Sequence, residues 1–339
     1  MTLRLDGLQQ MNISTETSFL DYVRIYLDAV EVRLNKEITS EVLQVNALAG
    51  HVLSAGGKRL RPAMIALAAC AVSKNPDIER VTAVGASAEL VHMATLVHDD
   101  VVDDTTTRRG KTTANAVFGN GVAVLSGDFL LARAMCMLVA DGDIRVIRAV
   151  TDITVEMSEG EVMELLAAGN PSITPEIYYE ILRKKTAVFV AGCCRCGAMV
   201  GGASPEEEDA LSRYGHHMGL AFQIADDLLD YTGNPTNTGK ALGSDLRDGR
   251  ATLPLLLALE DCSIEDRSLL LKYFGSDEIT EDTFQLVLTI MEKHNTFTRT
   301  RATACTHIQR AADALLTLPA TRARECFLQL NDYVIHRDR

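Results

Sequence analysis

Ala86-Ser-Ala-Glu-Leu-Val-His-Met-Ala-Thr-Leu-Val-His-Asp-Asp-Val-Val-Asp-Asp104 is a mostly apolar run that ends in a knot of carboxylates. Asp99, Asp100 and Asp103 stand at i, i+1 and i+4, so on a helix Asp99 and Asp103 share a face with Asp100 beside them. Like charges this close repel unless a cation sits between them. Carboxylates are hard oxygen ligands of the kind Mg²⁺ prefers, and Mg²⁺ shares its shell with water and phosphate oxygens. A solvated acidic face would not end a buried-looking helix in this way. The pattern recurs in Met218-Gly-Leu-Ala-Phe-Gln-Ile-Ala-Asp-Asp-Leu-Leu-Asp230, where Asp226, Asp227 and Asp230 again follow an apolar helical run. A polar loop comes after each cluster, and conformable loops at the mouth of a rigid scaffold are where binding groups concentrate.

Outward from these two segments the chain keeps the same period. Helices are predicted over Phe19–Asn35, Pro62–Ser73, Val81–Asp103, Asn120–Val139, Ile144–Ala168, Pro175–Val200, Pro205–Asp230 and Leu253–Leu259. No convincing alternating strand is present, so the expected fold class is all-α. The eight prolines fall mostly at helix starts or breaks; Pro175, Pro205 and Pro254 each sit in a first turn. Aromatic residues are 5% of the chain and Trp is absent, which leaves a core of Leu, Val, Ile, Ala and Met suited to packed helices. Neither a low-complexity linker nor a fixed-period repeat divides the 339 residues, so one domain over residues 1–339 is expected.

Basic residues stand beside the acids. Arg108 and Arg109 follow the first cluster, and Lys240 and Arg250 follow the second. Gly56-Gly-Lys-Arg-Leu-Arg-Pro62 is a separate basic turn leading into a helix, and Lys184-Lys-Thr186 lies mid-chain. Arg and Lys neutralise phosphate charge, Arg with a bidentate fork. Together these residues supply two anion sites, one over the cations and one free of metal. A diphosphate gripped by Mg²⁺ becomes a leaving group whose developing charge is stabilised. A second diphosphate is then held by Arg and Lys alone. No Ser-His-Asp or Cys-His arrangement and no P-loop competes with this reading.

The bulk numbers agree. Hydrophobic residues make up 47% and charged residues 23%, with a net charge of −13, which argues against a nucleic-acid partner. The eight cysteines show no paired framework, and Cys193, Cys194 and Cys196 read as small buried helix residues. The N-terminal residues lack the apolar core of a signal peptide, and the longest clean apolar run, Ala63 to Val72, is far short of a membrane span. A soluble, cytoplasmic protein with no transmembrane segment is expected.

These residues together resemble the trans-polyprenyl diphosphate synthases, the head-to-tail prenyltransferases. The resemblance runs in order over most of the chain: GGKRLRP (56–62), ELVHMATLVHDDVVDD (89–104), RRGK (108–111), GDFLLARA (127–134), EGEVMEL (159–165), KT (185–186), GLAFQIADDLLDYTG (219–233), GKALGSDLRDGRATLP (239–254) and YVIHRDR (333–339). It implies the isoprenoid synthase fold, a helical bundle around a deep apolar cavity, in a homodimer. It implies that Asp99, Asp100, Asp103, Asp226, Asp227 and Asp230 hold three Mg²⁺ ions, with Mn²⁺ as a substitute, on an allylic diphosphate. Arg108, Lys185 and Lys240 would touch that diphosphate, and Thr186 and Gln223 would face the allylic cation. Lys58, Arg61, His92 and Arg109 would bind isopentenyl diphosphate. The implied reaction is ionisation, attack by the isopentenyl double bond and loss of a proton to the released diphosphate. The chain departs from the family at Glu164, where Gln is frequent, at Asp104 and Thr105, at Arg250, where Lys is common, and at Met93, often Thr. None of these is an expected metal ligand or diphosphate contact.

In the family, bulky aromatics four and five residues before the first Asp stop growth early. Here those positions are Thr95 and Ala94, which are small, and no insertion splits the first cluster. Both features point to a long product, and the motifs resemble the octaprenyl-to-decaprenyl enzymes that make quinone side chains, including that of ubiquinone. The expected function is extension of farnesyl or geranylgeranyl diphosphate to C40–C50, with Met135, Met137 and Met157 as deeper floor candidates. A short-chain synthase, a terpene cyclase and a non-catalytic subunit of a heteromeric synthase are the alternatives.

Overall fold

A computed structural model describes residues 15–108, 110–233, 242–276 and 278–336, with side chains from residue 19 onward. The helices are α1 (Thr15–Tyr22), α2 (Arg24–Glu37), α3 (Leu43–Ser54), α4 (Leu60–Val72), α5 (Ile78–Val102), α6 (Ala114–Phe118), α7 (Asn120–Asp141), α8 (Ile144–Ala167), α9 (Pro175–Leu182), α10 (Val188–Gly201) and α11 (Pro205–Thr232). They continue as α12 (Ser244–Arg247), α13 (Leu253–Asp261), α14 (Ile264–Tyr273), α15 (Glu281–Lys293), α16 (Thr296–Ala314) and α17 (Arg322–His336). The all-α expectation holds. The strands are two residues each, β1 (Thr107–Arg108) and β2 (Lys111–Thr112), an antiparallel pair with Thr107 opposite Thr112.

Two long helices dominate. α5 starts on Asp77, whose carboxylate accepts the Glu79 and Arg80 amides at 2.9 and 3.4 Å. α11 starts on a capping box in which Ser204 and Glu207 each accept the other's amide. Each helix carries an aspartate cluster at its C-terminal end. α4, α7 and α10 pack around α5, and α10 and α16 pack along α11. Small residues set how close these helices come. A Cβ at Gly197 of α10 would lie 2.2 Å from the Ile65 carbonyl of α4, and one at Gly215 of α11 would lie 2.7 Å from the Ala191 Cα of α10.

Apolar side chains gather in two large clusters that meet along α11. Ala210, Leu211, Tyr214 and Met218 join the main one, while Leu220, Ile224 and Tyr231 join one shared with α9 and α13 to α16. Cys193, Cys194 and Cys196 pack in the main core, and all eight cysteines are free thiols. Among the described residues one helix, α7, is long and apolar enough to cross a membrane. It contains the predicted helix Asn120–Val139, and Asp128 and Arg133 interrupt its apolar run. In the fold α7 packs on α5 with Leu130, Ala134, Met137 and Leu138 buried.

Candidate active site

At the end of α5, Asp100 is 5% exposed and turned inward. Behind it Asp104 takes a left-handed backbone (φ 49°), and Thr105 N and Asn115 Nδ2 both donate to the Asp100 carbonyl. The β1–β2 turn folds back over this end, so Arg108 Nε donates to Asp100 Oδ1 at 2.8 Å. The polar loop read from the sequence is thus a short hairpin that returns its cation to the cluster.

Asp99 lies within electrostatic reach of Glu161, Lys185 and Arg108. Burial, together with Glu161 of α8 and Asp103, pushes its carboxyl up to about 7 against the pull of Lys185 and Arg108. Glu161 is itself raised, mainly by burial. Lys185 lies in a single π-helical turn, residues 183–187, between α9 and α10. Such turns mark functional positions in many helices. Here it turns Lys185 Nζ onto Glu161 at 3.1 Å and onto Glu164.

The second cluster is divided by its hydrogen bonds. Asp227, 5% exposed, accepts from Tyr178 Oη at 2.7 Å and from Gln223 Nε2 at 3.0 Å, and Thr186 Oγ1 donates to Gln223 Oε1 at 3.1 Å. Asp230 accepts Ser244 N, Ser244 Oγ and Asp245 N at 3.1, 2.7 and 3.0 Å, so it holds the start of α12. Burial raises the carboxyls of Asp227 and Asp245, the latter with Asp230 and Asp227 beside it and Arg250 opposing.

Two cavities meet at Asp226, which lines both. One, of about 410 Å³, is lined by Glu164, Lys185, Thr186, Gln223 and the second cluster. The other, of about 700 Å³, holds Lys58, Arg61, His92, Arg108 and Asp100. In it Lys58 Nζ sits 4.5 Å over the Tyr333 ring and reaches its hydroxyl, and Arg61 lies 4.8 Å from the Phe189 ring. Arg109, Lys240 and residues 337–339 lie outside the described residues. Of the expected chain-length positions, Ala94 is 1% exposed in the main core, and Thr95 is half-buried with its hydroxyl on the His92 carbonyl. Met93 lines the larger cavity. The sequence reading missed Glu161, Tyr178, Asp245 and Tyr333 as site residues. Three of them lie in motifs it quoted; Tyr178 had no signal beyond its helix.

The donor set fits hard divalent cations: carboxylates from two helices, of which Asp99 and Asp227 are raised in pKa chiefly by burial. Among the described residues no three such side chains converge into a ready-made metal site. The oxygens of a bound diphosphate would have to complete the shells. An all-helical bundle with two opposed acidic helix ends beside a basic cavity defines a class of enzyme that handles diphosphate esters.

The family model for polyprenyl synthetase matches residues 43–291. The octaprenyl diphosphate synthase of Escherichia coli is 36% identical over 310 residues, 91% of this chain and 95% of that one. Among solved structures, a decaprenyl diphosphate synthase from Rhodobacter capsulatus superposes with a TM-score of 0.89 at 33% identity, covering 96% of this chain and 99% of its own. A polyprenyl synthase from Caulobacter crescentus, complexed with calcium and isoprenyl diphosphate, matches with a TM-score of 0.89 at 34% identity, covering 96% and 98%. The chain belongs to the polyprenyl synthetase family, with the isoprenoid synthase fold, and its activity is prenyl transfer.

Proposed function

We propose that this chain is a Mg²⁺-dependent, long-chain trans-polyprenyl diphosphate synthase acting as a single domain in a homodimer. It extends farnesyl or geranylgeranyl diphosphate with successive isopentenyl diphosphates to C40–C50, for a quinone side chain. The observation that carries this is the meeting, at Asp226, of an acidic cation-seeking cavity with a basic cavity. A terpene cyclase needs only the first. A non-catalytic subunit has no use for two complete aspartate clusters.

Asp99, Asp100 and Asp103 on α5 and Asp226, Asp227 and Asp230 on α11 would hold three Mg²⁺ ions, or Mn²⁺ in their place. Bound there, the metal supplies charge neutralisation for a departing diphosphate. Within the second cluster, Asp227 and Asp230 accept two and three protein donors, which hold their carboxylates in place. Lys185, released from Glu161 and Glu164, and Lys240 and Arg108 add charge at the same diphosphate. Thr186 and Gln223 present oxygens to the allylic carbon as its C–O bond breaks. Lys58, Arg61, His92 and Arg109 hold isopentenyl diphosphate so that its double bond attacks that carbon. The proton lost in forming the new double bond passes to the released diphosphate.

Incubation with farnesyl and isopentenyl diphosphates and Mg²⁺ tests this, with products separated by chain length. A ladder ending at C40–C50, abolished by a chelator, is expected. A ladder ending at C20 would make the enzyme a short-chain synthase. A cyclic hydrocarbon would make it a cyclase, and no turnover a partner subunit.

A further inference from the structure

Arg59 stands between Lys58 and Arg61, yet its own side chain is already committed. Its backbone is left-handed, φ 50° and ψ 39°, at the residue that caps α4. A side chain with a Cβ rarely adopts that region, and strain of this kind persists only where the surroundings enforce it. The enforcement is visible. Arg59 Nε pairs with Glu31 of α2, and Nη1 pairs with Glu89 of α5 at 2.9 Å. Glu89 is 4% exposed in the middle of α5, where a carboxylate needs a partner. One guanidinium therefore ties the loop to two helices at once.

The left-handed residue also shapes the cavity. It turns the chain sharply at the start of α4, and Lys58 before it and Arg61 after it both line the same 700 Å³ space. A guanidinium shared by two carboxylates has little charge left for a diphosphate. We infer that Arg59 is a positioning residue for isopentenyl diphosphate. The Glu31–Arg59–Glu89 clamp holds residue 59 left-handed and so fixes where Lys58 and Arg61 point. This rests on Lys58 and Arg61 forming the metal-free diphosphate site. The competing role is direct contact, since Arg59 and Glu89 also line the cavity.

Single-condensation kinetics separate the roles. Arg59→Ala loses the clamp and keeps the Cβ clash, so its KM for isopentenyl diphosphate should rise about tenfold or more, because small misplacements are costly. Its kcat and its KM for the allylic substrate should stay within about twofold. Arg59→Gly takes the left-handed backbone without that clash, so its rise should be only about threefold. Glu89→Gln decides by sign. The clamp predicts a higher KM, whereas direct electrostatics predicts a lower one, since a negative charge leaves the anion site. The inference is overturned by an unchanged KM in Arg59→Ala, by Arg59→Gly as impaired as Arg59→Ala, or by a lowered or unchanged KM in Glu89→Gln. If Arg59→Ala does not fold, the glycine variant and Glu89→Gln still decide. Lys58→Ala is the control for the underlying site. An unchanged KM there removes the site and the clamp together, while a raised KM there with Arg59→Ala unchanged removes the clamp alone.

Discussion

Asp99 keeps its carboxyl near the middle of the pH scale because it is buried with Glu161 and Asp103, only partly offset by Lys185 and Arg108. In the unfolded chain the same group ionises near 3.8 and in the folded metal-free protein at about 7. Between those values the folded state holds a proton that the unfolded state has lost, so stability falls as pH rises through the window. Glu161, also raised, acts in the same direction. In chelator, the melting temperature should therefore drop from about pH 5 to about pH 8, and Asp99→Asn should flatten that slope. A melting temperature that rises over the range would contradict this placement of Asp99. At the other cluster, Tyr178→Phe removes the 2.7 Å donor to Asp227. Outer partners of ligating carboxylates typically contribute 10- to 100-fold in metal affinity. Mn²⁺ binding in the presence of diphosphate, followed by electron paramagnetic resonance, should weaken about tenfold, with little change in fold. The six aspartates were legible because their spacing is local. Tyr178 and Glu161 were not, because only the packing of α9 and α8 brings them to those carboxylates.

At the scale of single elements, each predicted range holds helix, but α3, α15 and α17, which bury apolar faces, stand outside those ranges. So does α16, whose buried stripe is of another kind. α16 buries Thr296, Thr300, Ala304, His307 and Ala311 along one face, and its threonine hydroxyls satisfy themselves on carbonyls such as Thr300 Oγ1 on Thr296 O at 2.8 Å. Thr is a poor helix former and does not count as apolar, so this stripe is less conspicuous than an aliphatic one. The segment predicted as one helix from Pro175 to Val200 contains the π-helical turn, a backbone feature with no hydrophobic signature. The one predicted from Phe19 to Asn35 breaks at Val23 into α1 and α2. Gly197 marks where α10 meets the α4 backbone. Gly197→Ala would place a Cβ against the Ile65 carbonyl, which cannot swing aside as a side chain could. A loss of about 1 to 3 kcal/mol is expected, read by denaturant unfolding, the usual cost of overpacking. Along α5 the relevant length is one turn, about 5.4 Å, close to one isoprene unit. Ala94 lies little more than a turn before Asp99 and is buried in the core. Ala94→Phe should shorten the product to roughly farnesyl or geranylgeranyl size by that one-turn argument, and an unchanged product length on chromatography would sink it.

For the molecule as a whole, the surface of α7 and α8 exposes several apolar side chains in a single chain. Leu125, Ala132, Cys136 and Val139 are exposed at steps of seven, four and three along α7, on one helical face that Asp128 shares. Val155, Val162 and Leu166 do the same along α8, and the two helices pack together. A soluble chain seldom exposes apolar stripes of this length unless another surface covers them. The occupant proposed here is a second copy of the same chain, since a two-fold axis brings each stripe against its own equivalent. That reading also gives α7 a reason to carry apolar residues on two faces, because its inner face packs on α5 and its outer face would pack on a subunit. The resemblance to a dimeric family implied the assembly but not its place, because exposed and core leucines look alike in a one-dimensional pattern. Val162→Asp, or Leu125→Asp, would set two carboxylates against each other across the axis in an apolar setting, which is costly for both. Analytical ultracentrifugation should then show the wild-type protein at twice the chain mass and either variant at the single-chain mass at micromolar concentration. A wild-type protein that sediments as one chain would remove the dimer, and variants that stay paired would move the interface away from α7 and α8.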